Sequence, residues 1–291
     1  MTLGIIVSGT AGRLEVIATP IGNLGDLTPR AAASLQRAAL IVAEDTRRTG
    51  QLLAHCGISR PLLSLHEHNE AERVAGIVQR LQAGDIVALV SDAGTPLLSD
   101  PGLLLVREAA AAGIEVVAIP GPSALTAALS IAGLSARRFA FEGFLPARAG
   151  ERRGVLNRLA AETRTLVFFE APHRLADTLA DLATAFGDAR RAAIARELTK
   201  VHETVYRGTL AELCGRLAAD ANLARGELVL LVEGATAESD EGDLELLRRA
   251  LPILLKDLPP ARAAAIAAKL SGVARDTAYG EALRLGRDDG G

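Results

Sequence analysis

The sequence predicts an α/β protein made of two α/β domains, over residues 13–136 and 137–234, with a small C-terminal helical domain over 244–286. Three observations predict this. Short apolar runs alternate with Ala/Leu-rich helical segments through the first part, the texture of a mainly parallel sheet. A second set of strand-like runs follows, two of them too close together for a helical crossover, so that sheet is mixed. Beyond an acidic stretch of small residues at Ala235–Asp243, which reads as a linker, the pattern is helical throughout.

In the first domain the strands are read at Leu14–Thr19, Leu40–Ala43, Leu62–Leu65, Ile86–Val90 and Val116–Ile119. Thr28 before Pro29 reads as a helix cap with a proline at the first helical position, and Asn69 with Glu72 as a near capping box. Gly57, Gly84 and Gly113 mark helix ends. Arg137–Arg153 reads as an irregular interdomain connection that concentrates Phe139, Phe141 and Phe144 in a chain with only 3% aromatic residues. In the second domain strands are expected at Thr165–Glu170, Ala192–Arg196, Thr204–Arg207 and Glu227–Val232, and helices at Arg174–Phe186 and Leu210–Ala219. The tail, Leu244–Leu285, is punctuated by Pro259, Pro260, Ser271 and Gly272 and suits a three-helix domain.

Composition narrows the function classes. With 49% hydrophobic and 23% charged residues the chain is globular. Cys56 and Cys214 are isolated, which indicates neither a disulfide framework nor a metal site and fits a reducing, cytoplasmic setting. Met1–Gly12 has no basic residue before its apolar stretch, which argues against a secretory signal, and no apolar run reaches membrane-spanning length. A net charge of −3 excludes a generally basic nucleic-acid binder, so any RNA contact must be concentrated on a local face. Lysine occurs only at 200, 256 and 269, against an otherwise arginine-based cation set.

Three loops rich in Gly, Pro and small polar residues leave strand ends, which is where an open α/β sheet binds its ligand. The first, Thr19 to Asp26, lacks the spacing of a dinucleotide fingerprint and by itself reads equally as a tight turn. The second, Ser91 to Gly102, is too elaborate for a plain connection. Asp92 or Asp100 there can meet a ribose diol or a sulfonium, while capping competes for both, above all for Asp100 before Pro101. In the third, Pro120 to Ala128, amides at the helix start around Ser123 suit a carboxylate, with a serine cap as the rival account.

The series Ala18-Thr-Pro-Ile-Gly-Asn-Leu-Gly-Asp-Leu-Thr-Pro-Arg30, Glu44-Asp-Thr-Arg47, His66-Glu-His-Asn69, Ser91-Asp-Ala-Gly-Thr-Pro96 and Ser99-Asp-Pro-Gly102 closely resembles the ribosomal RNA small subunit methyltransferase I family of the tetrapyrrole methylase superfamily. Gly143-Phe-Leu-Pro146, Phe169-Glu-Ala-Pro-His-Arg174 and Ala195-Arg-Glu-Leu-Thr-Lys200 continue it, so the likeness spans roughly residues 13–234, with a weaker echo at Ala261–Tyr279. The resemblance implies a homodimer of the class III methyltransferase fold, whose two α/β domains clamp S-adenosyl-L-methionine between them. It implies 2′-O-methylation of a decoding-centre cytidine in 16S rRNA of the small ribosomal subunit. It places cofactor contacts at Pro20, Gly22, Asp92, Ala93, Gly94, Thr95, Gly121, Ser123, Ala124, Leu125, Phe168, Phe169 and Glu170.

Methyl transfer to a ribose hydroxyl needs alignment and a proton acceptor. Candidate catalytic groups are Glu170, Glu197, or Lys200 if burial beside a cation lowers its pKa; a salt bridge accounts for Lys200 nearly as well. Arg47, Arg48, Arg174 and Arg196 are the arginines expected to bind RNA near the cleft, with Arg137, Arg138, Arg148, Arg152 and Arg153 on the connecting segment. Phe139, Phe141 and Phe144 suit base stacking or packing across the domain boundary, His173 a surface role, and His66, His68 and Asn69 the substrate side without a metal. Two competing functions are a precorrin-type C-methyltransferase, which calls for an apolar open cleft, and a non-catalytic RNA-binding or ribosome-assembly factor.

Overall fold

Two five-stranded sheets and a helical tail organise the computed structural model, which describes residues 12–66, 68–235 and 241–288. The Met1–Gly12 signal argument, the middle of the expected linker and Glu67 of the His66–Asn69 motif lie outside the described residues, apart from Gly12 itself. The chain forms two compact units, Met1–Gly234 and Ala235–Gly291.

The first sheet alternates strands and helices in the order β1 (Arg13–Ile17), α1 (Pro29–Arg37), β2 (Leu40–Ala43), α2 (Thr46–His55), β3 (Leu62–Ser64), α3 (Glu70–Gln82), β4 (Ile86–Val90), α4 (Leu103–Ala111), β5 (Glu115–Ile119) and α5 (Ala124–Ile131). Its strand order is β3-β2-β4-β1-β5, all parallel. Strands β2 and β4 are apolar on both faces because helices cover both. Leu35 of α1 and Leu53 of α2 pack on one face, and Ile77 of α3 and Leu105 of α4 on the other. Thus the neighbours β1 and β4 send their connections to opposite faces, which opens a crevice at their carboxyl ends.

Helix punctuation follows the sequence with two exceptions. Thr28 accepts from the Ala31 amide at 3.1 Å, and Gly57, Gly84 and Gly113 take positive φ at helix ends. Asn69, however, makes no cap bond to α3; its side-chain oxygen accepts from the His66 amide at 2.9 Å instead. Nor does Asp100 cap α4. Glu70 does so from α3, accepting from the Leu104 amide at 2.9 Å and the Leu105 amide at 3.3 Å. Glu70→Ala should therefore destabilise the fold by about 1 kcal/mol, seen as a lowered urea midpoint, because it strips both a cap and a negative charge from a helix start.

The second sheet is built from β6 (Phe139–Phe144), β7 (Thr165–Glu170), β8 (Arg191–Arg196), β9 (Thr204–Thr209) and β10 (Leu228–Val232), with α6 (Ala149–Leu159), α7 (Leu175–Phe186) and α8 (Leu210–Ala219). Its order is β6-β7-β10-β8-β9, mixed as expected: β6 and β7 run parallel and the other pairs antiparallel. The segment read as an irregular connection is a correction, since it supplies edge strand β6, with a register shift between Phe141 and Gly143, and the start of α6.

Strand alternation sorts this sheet's side chains into two layers. Leu166, Phe168, Ile194 and Leu230 face α6, α7 and α8, whereas Val167, Ala195, Val229 and Leu231 face Leu125, Ala128 and Leu129 of α5 and Ile21. That second layer joins the two sheets. Arg207 of β9 ties them again by donating through Nε to the Ala132 carbonyl at 3.1 Å and through a second nitrogen to the Ile131 carbonyl.

The C-terminal unit is a three-helix assembly of α9 (Glu241–Leu255), α10 (Pro260–Ser271) and α11 (Arg275–Asp288). Leu247, Leu251, Ala264, Ala267, Ala278 and Ala282 form its small core, and Gly272 ends α10 with φ 77°. No helix among the described residues is long and apolar enough to cross a membrane.

Candidate active site

The three loops meet at one sheet edge and bond to one another. Thr19 and Gly94 form an antiparallel bridge, with amide-to-carbonyl distances of 2.9 and 3.0 Å. The Thr19 hydroxyl donates to the Ser91 carbonyl at 3.3 Å, and the Thr95 hydroxyl to the Pro122 carbonyl at 3.1 Å. Gly94 sits at φ 83°, and a Cβ there would meet Ile21 Cγ2 at 3.2 Å, so glycine suits both the conformation and the close approach. Its amide is spent on Thr19 rather than offered to a ligand.

Above these loops lies a cavity of about 470 Å³, within the size range of small-molecule sites. The first lobe lines it with Asp92, Ala93, Gly94, Thr95, Asp100, Ser123 and Ala124. The second lobe closes it with Phe144, Phe169, Glu170 and the Gly226–Val229 turn. Phe169 packs edge-on against Phe141 at 4.8 Å and Phe144 at 5.6 Å between centroids, so these phenylalanines form an aromatic wall on the second lobe's side of the cavity. Phe139, on the same strand, remains 40% exposed.

Acidic groups set the cavity's charge. Asp92 accepts from the Asp45 amide at 2.9 Å and faces Arg48 at 3.5 Å, which fixes the start of α2 beside the site. Burial pushes the Asp100 carboxyl up to about 6; a hydrogen bond with Ser91 opposes the rise and Asp92 adds to it. Small residues, an aromatic wall and an excess of carboxylates over the one arginine suit a ligand with a flat ring and a positive charge.

Several expected residues stand elsewhere. Phe168 is fully buried in the layer facing α7, a correction that follows from strand alternation, and Leu125 is buried between the lobes. Pro20 and Gly22 border a neighbouring pocket of about 250 Å³, and Gly121 lines a depression of about 450 Å³ that shares Ser123 and Ile21 with the main cavity. Ser123 makes no side-chain cap bond to α5.

Glu170 lines the cavity but its side chain has no exposed surface. It accepts from the Thr178 hydroxyl at 2.6 Å and the Ala171 amide at 2.7 Å, and pairs with Arg174 at 3.3 Å. Glu197, at φ 52°, accepts from Lys200 Nζ and the Glu227 amide, both at 2.8 Å, while Lys200 also reaches Glu227 at 3.2 Å. Burial would lower the Lys200 pKa, yet the hydrogen bonds to Glu197 and Glu227 more than offset it and raise the value. Lys200 is therefore a cation, opposite to the lowered pKa that a basic role needs. Burial likewise opposes the charge on Glu197, and the Lys200 bond overcomes it and lowers that pKa. The Lys200 stem lies against Gly22, where a Cβ would collide with it, and Gly226 leaves no room for a Cβ beside Glu197.

The arginines divide the same way. Arg47 and Arg48 are exposed beside the cavity mouth, paired with Asp45 and Asp92. Arg174 is a correction: it is mostly buried, donating to the Leu145 carbonyl at 2.6 Å and the Pro146 carbonyl at 3.1 Å. Arg196 is tied to the Arg225 carbonyl at 2.8 Å and the His202 carbonyl at 3.2 Å. Arg152 is a further correction, only 3% exposed and bound to Asp181 at 2.7 Å, whereas Arg137, Arg138, Arg148 and Arg153 stay at the surface, as do His66, His68 and His173. Gly226 to Val229 escaped the sequence reading; the Gly before a buried strand was their only signal.

Residues 13–214 match the family described as Tetrapyrrole (Corrin/Porphyrin) Methylases, and residues 240–286 match the RsmI C-terminal HTH domain. The chain belongs to the tetrapyrrole methylases. Among them it is 56% identical over 271 residues, 93% of this chain and 99% of its relative, to ribosomal RNA small subunit methyltransferase I of Xylella fastidiosa, strain Temecula1. It is 53% identical over 277 residues, 94% and 98% of the two chains, to the protein of the same name from Pseudomonas aeruginosa. These relatives make this tetrapyrrole methylase a member of the ribosomal RNA small subunit methyltransferase I family. The crystal structure of the methyltransferase CobJ shares the fold, with a TM-score of 0.58 at 21% identity over 77% of this chain and 95% of that one.

Proposed function

We propose that this methylase transfers the methyl group of S-adenosyl-L-methionine to the ribose 2′-hydroxyl of a decoding-centre cytidine in 16S rRNA, acting in the cytoplasm as a homodimer on the small ribosomal subunit. The relatives' names supply the substrate class, and the cavity at the joined loops is the observation that carries the chemistry. The donor fits: Phe169 offers a flat face to an adenine, the small side chain of Ala93 leaves space beside it, and Asp92 and Asp100 suit a sulfonium.

S-adenosyl-L-methionine supplies a methyl group already activated on positive sulfur, so this chain's residues have mainly to bind and align. Loop bonds through Thr19 and Thr95 hold the donor side rigid, while the Glu197–Lys200–Glu227 cluster braces the second lobe against Gly22. Arg47 and Arg48, exposed at the mouth, receive RNA phosphates.

Incubation with labelled donor and small subunits, naked RNA or a tetrapyrrole decides among the readings. Label on a single ribose of small-subunit RNA is the expected result. Label on the tetrapyrrole would favour a C-methyltransferase, which the family match makes the rival, and no label anywhere would leave an assembly factor.

A further inference from the structure

The ribose hydroxyl must lose a proton as its oxygen is methylated, and the carboxylates and amine singled out in the sequence are engaged elsewhere. Glu170 is saturated by Thr178, Ala171 and Arg174, Glu197 is held by Lys200 and the Glu227 amide, and Lys200 is a cation. Asp100 differs from all three. It lines the donor cavity, as Glu170 does, but is only half-buried where the Glu170 side chain has no exposed surface; it bonds to Ser91, and the helix cap that would have used it is supplied by Glu70. Its loop is held in an uncommon shape: Leu97 at φ 73° and Ser99 at φ 71° adopt the left-handed conformation. Such backbone persists where its surroundings enforce it, and here Ser99 Oγ lies 3.0 Å from where a Cβ on Gly143 of the second lobe would stand.

We propose that Asp100 is the catalytic proton acceptor of the methyl transfer, carried on a loop that the second lobe clamps over the cavity. This rests on the 2′-O-methylation reading above. Asp100 takes the hydroxyl proton while the ribose oxygen bonds to the methyl carbon and the carbon–sulfur bond breaks, its electron pair staying on sulfur. Asp100 then returns the proton to water. A carboxyl raised to about 6 by burial suits the task, because it is ionised at neutral pH and yet more basic than an ordinary carboxylate. Glu44, Arg48, Asp92, Glu170 and Glu227 are the other charged side chains lining the cavity, and Arg48 is drawn toward Asp92 at 3.5 Å.

The test uses the full chain with Asp100→Asn. Carbon-13 NMR of labelled carboxyls should show a group titrating near pH 6 in the unsubstituted protein and lacking in the variant. Calorimetry should show S-adenosylhomocysteine, whose sulfur is neutral, binding both proteins alike. Single-turnover methylation of small subunits should fall by about 100-fold or more in the variant. In the unsubstituted protein the rate should drop as pH falls through about 6, since protonation removes the acceptor. Wild-type turnover in Asp100→Asn, or loss of S-adenosylhomocysteine binding in step with turnover, would overturn the proposal. If the asparagine variant does not fold, Asp100→Glu keeps the carboxyl and must show a shifted pH midpoint; an unshifted one overturns the acceptor role. An unsubstituted protein that methylates no ribose, while the NMR titration still appears, overturns the substrate reading and the acceptor role with it.

Discussion

Ala93→Trp will abolish S-adenosyl-L-methionine binding while leaving the thermal unfolding midpoint where it is. Ala93 is an exposed residue on the loop after β4, and its side chain borders the cavity at the joined loops. An indole there enters a space of about 470 Å³ that a nucleoside donor must largely fill, so donor and side chain cannot coexist. Nothing in either lobe's core needs to move to admit it, because the residue contributes to neither sheet's packing. A loss on the order of 100-fold or more in calorimetric affinity is expected. Unchanged affinity would place the donor outside this cavity.

Arg152→Ala will destabilise the first unit by about 3 kcal/mol in urea unfolding, the largest stability effect expected of any arginine replacement here. The guanidinium is nearly inaccessible and donates to Asp181 at 2.7 Å across α6 and α7, with a weaker bond to the Ala147 carbonyl at 3.4 Å. Deleting it strands a carboxylate whose own exposure is 14%. Because the cost comes from the stranded charge, Arg152→Met combined with Asp181→Leu should recover most of the loss. A single substitution costing less than about 1 kcal/mol would show that water reaches Asp181 freely.

What could be read in the sequence was local. Thr28 before Pro29 and the glycines after α2, α3 and α4 act within a few residues, and the strands of the first sheet announce themselves as short apolar runs between them. The loop series was also legible, because Thr19, Gly94, Thr95 and Pro122 belong to the segments whose glycines and prolines set them apart. Strand β6 was not, since a glycine and alternating aromatics on an edge strand look the same as a connection. Partners distant in sequence were equally hidden. Arg152 meets Asp181 29 residues away, and Glu70 caps a helix 34 residues on, which spares Asp100 that cap. Phe168 could have been placed correctly: in a strand where Phe169 faces the cavity, its neighbour must face the opposite layer. Lys200 stood out as a rare lysine, but whether its neighbours raise or lower its pKa depends on Glu227, brought in by a turn after Gly226.

A crystal structure grown with S-adenosylhomocysteine tests the account most directly. The product's adenine should lie against Phe169 and its sulfur should sit between the Asp92–Thr95 loop and Asp100. Density for it in the depression beside Asp26 and Thr28, with the cavity closed by Phe144 and Phe169 themselves, would contradict the assignment.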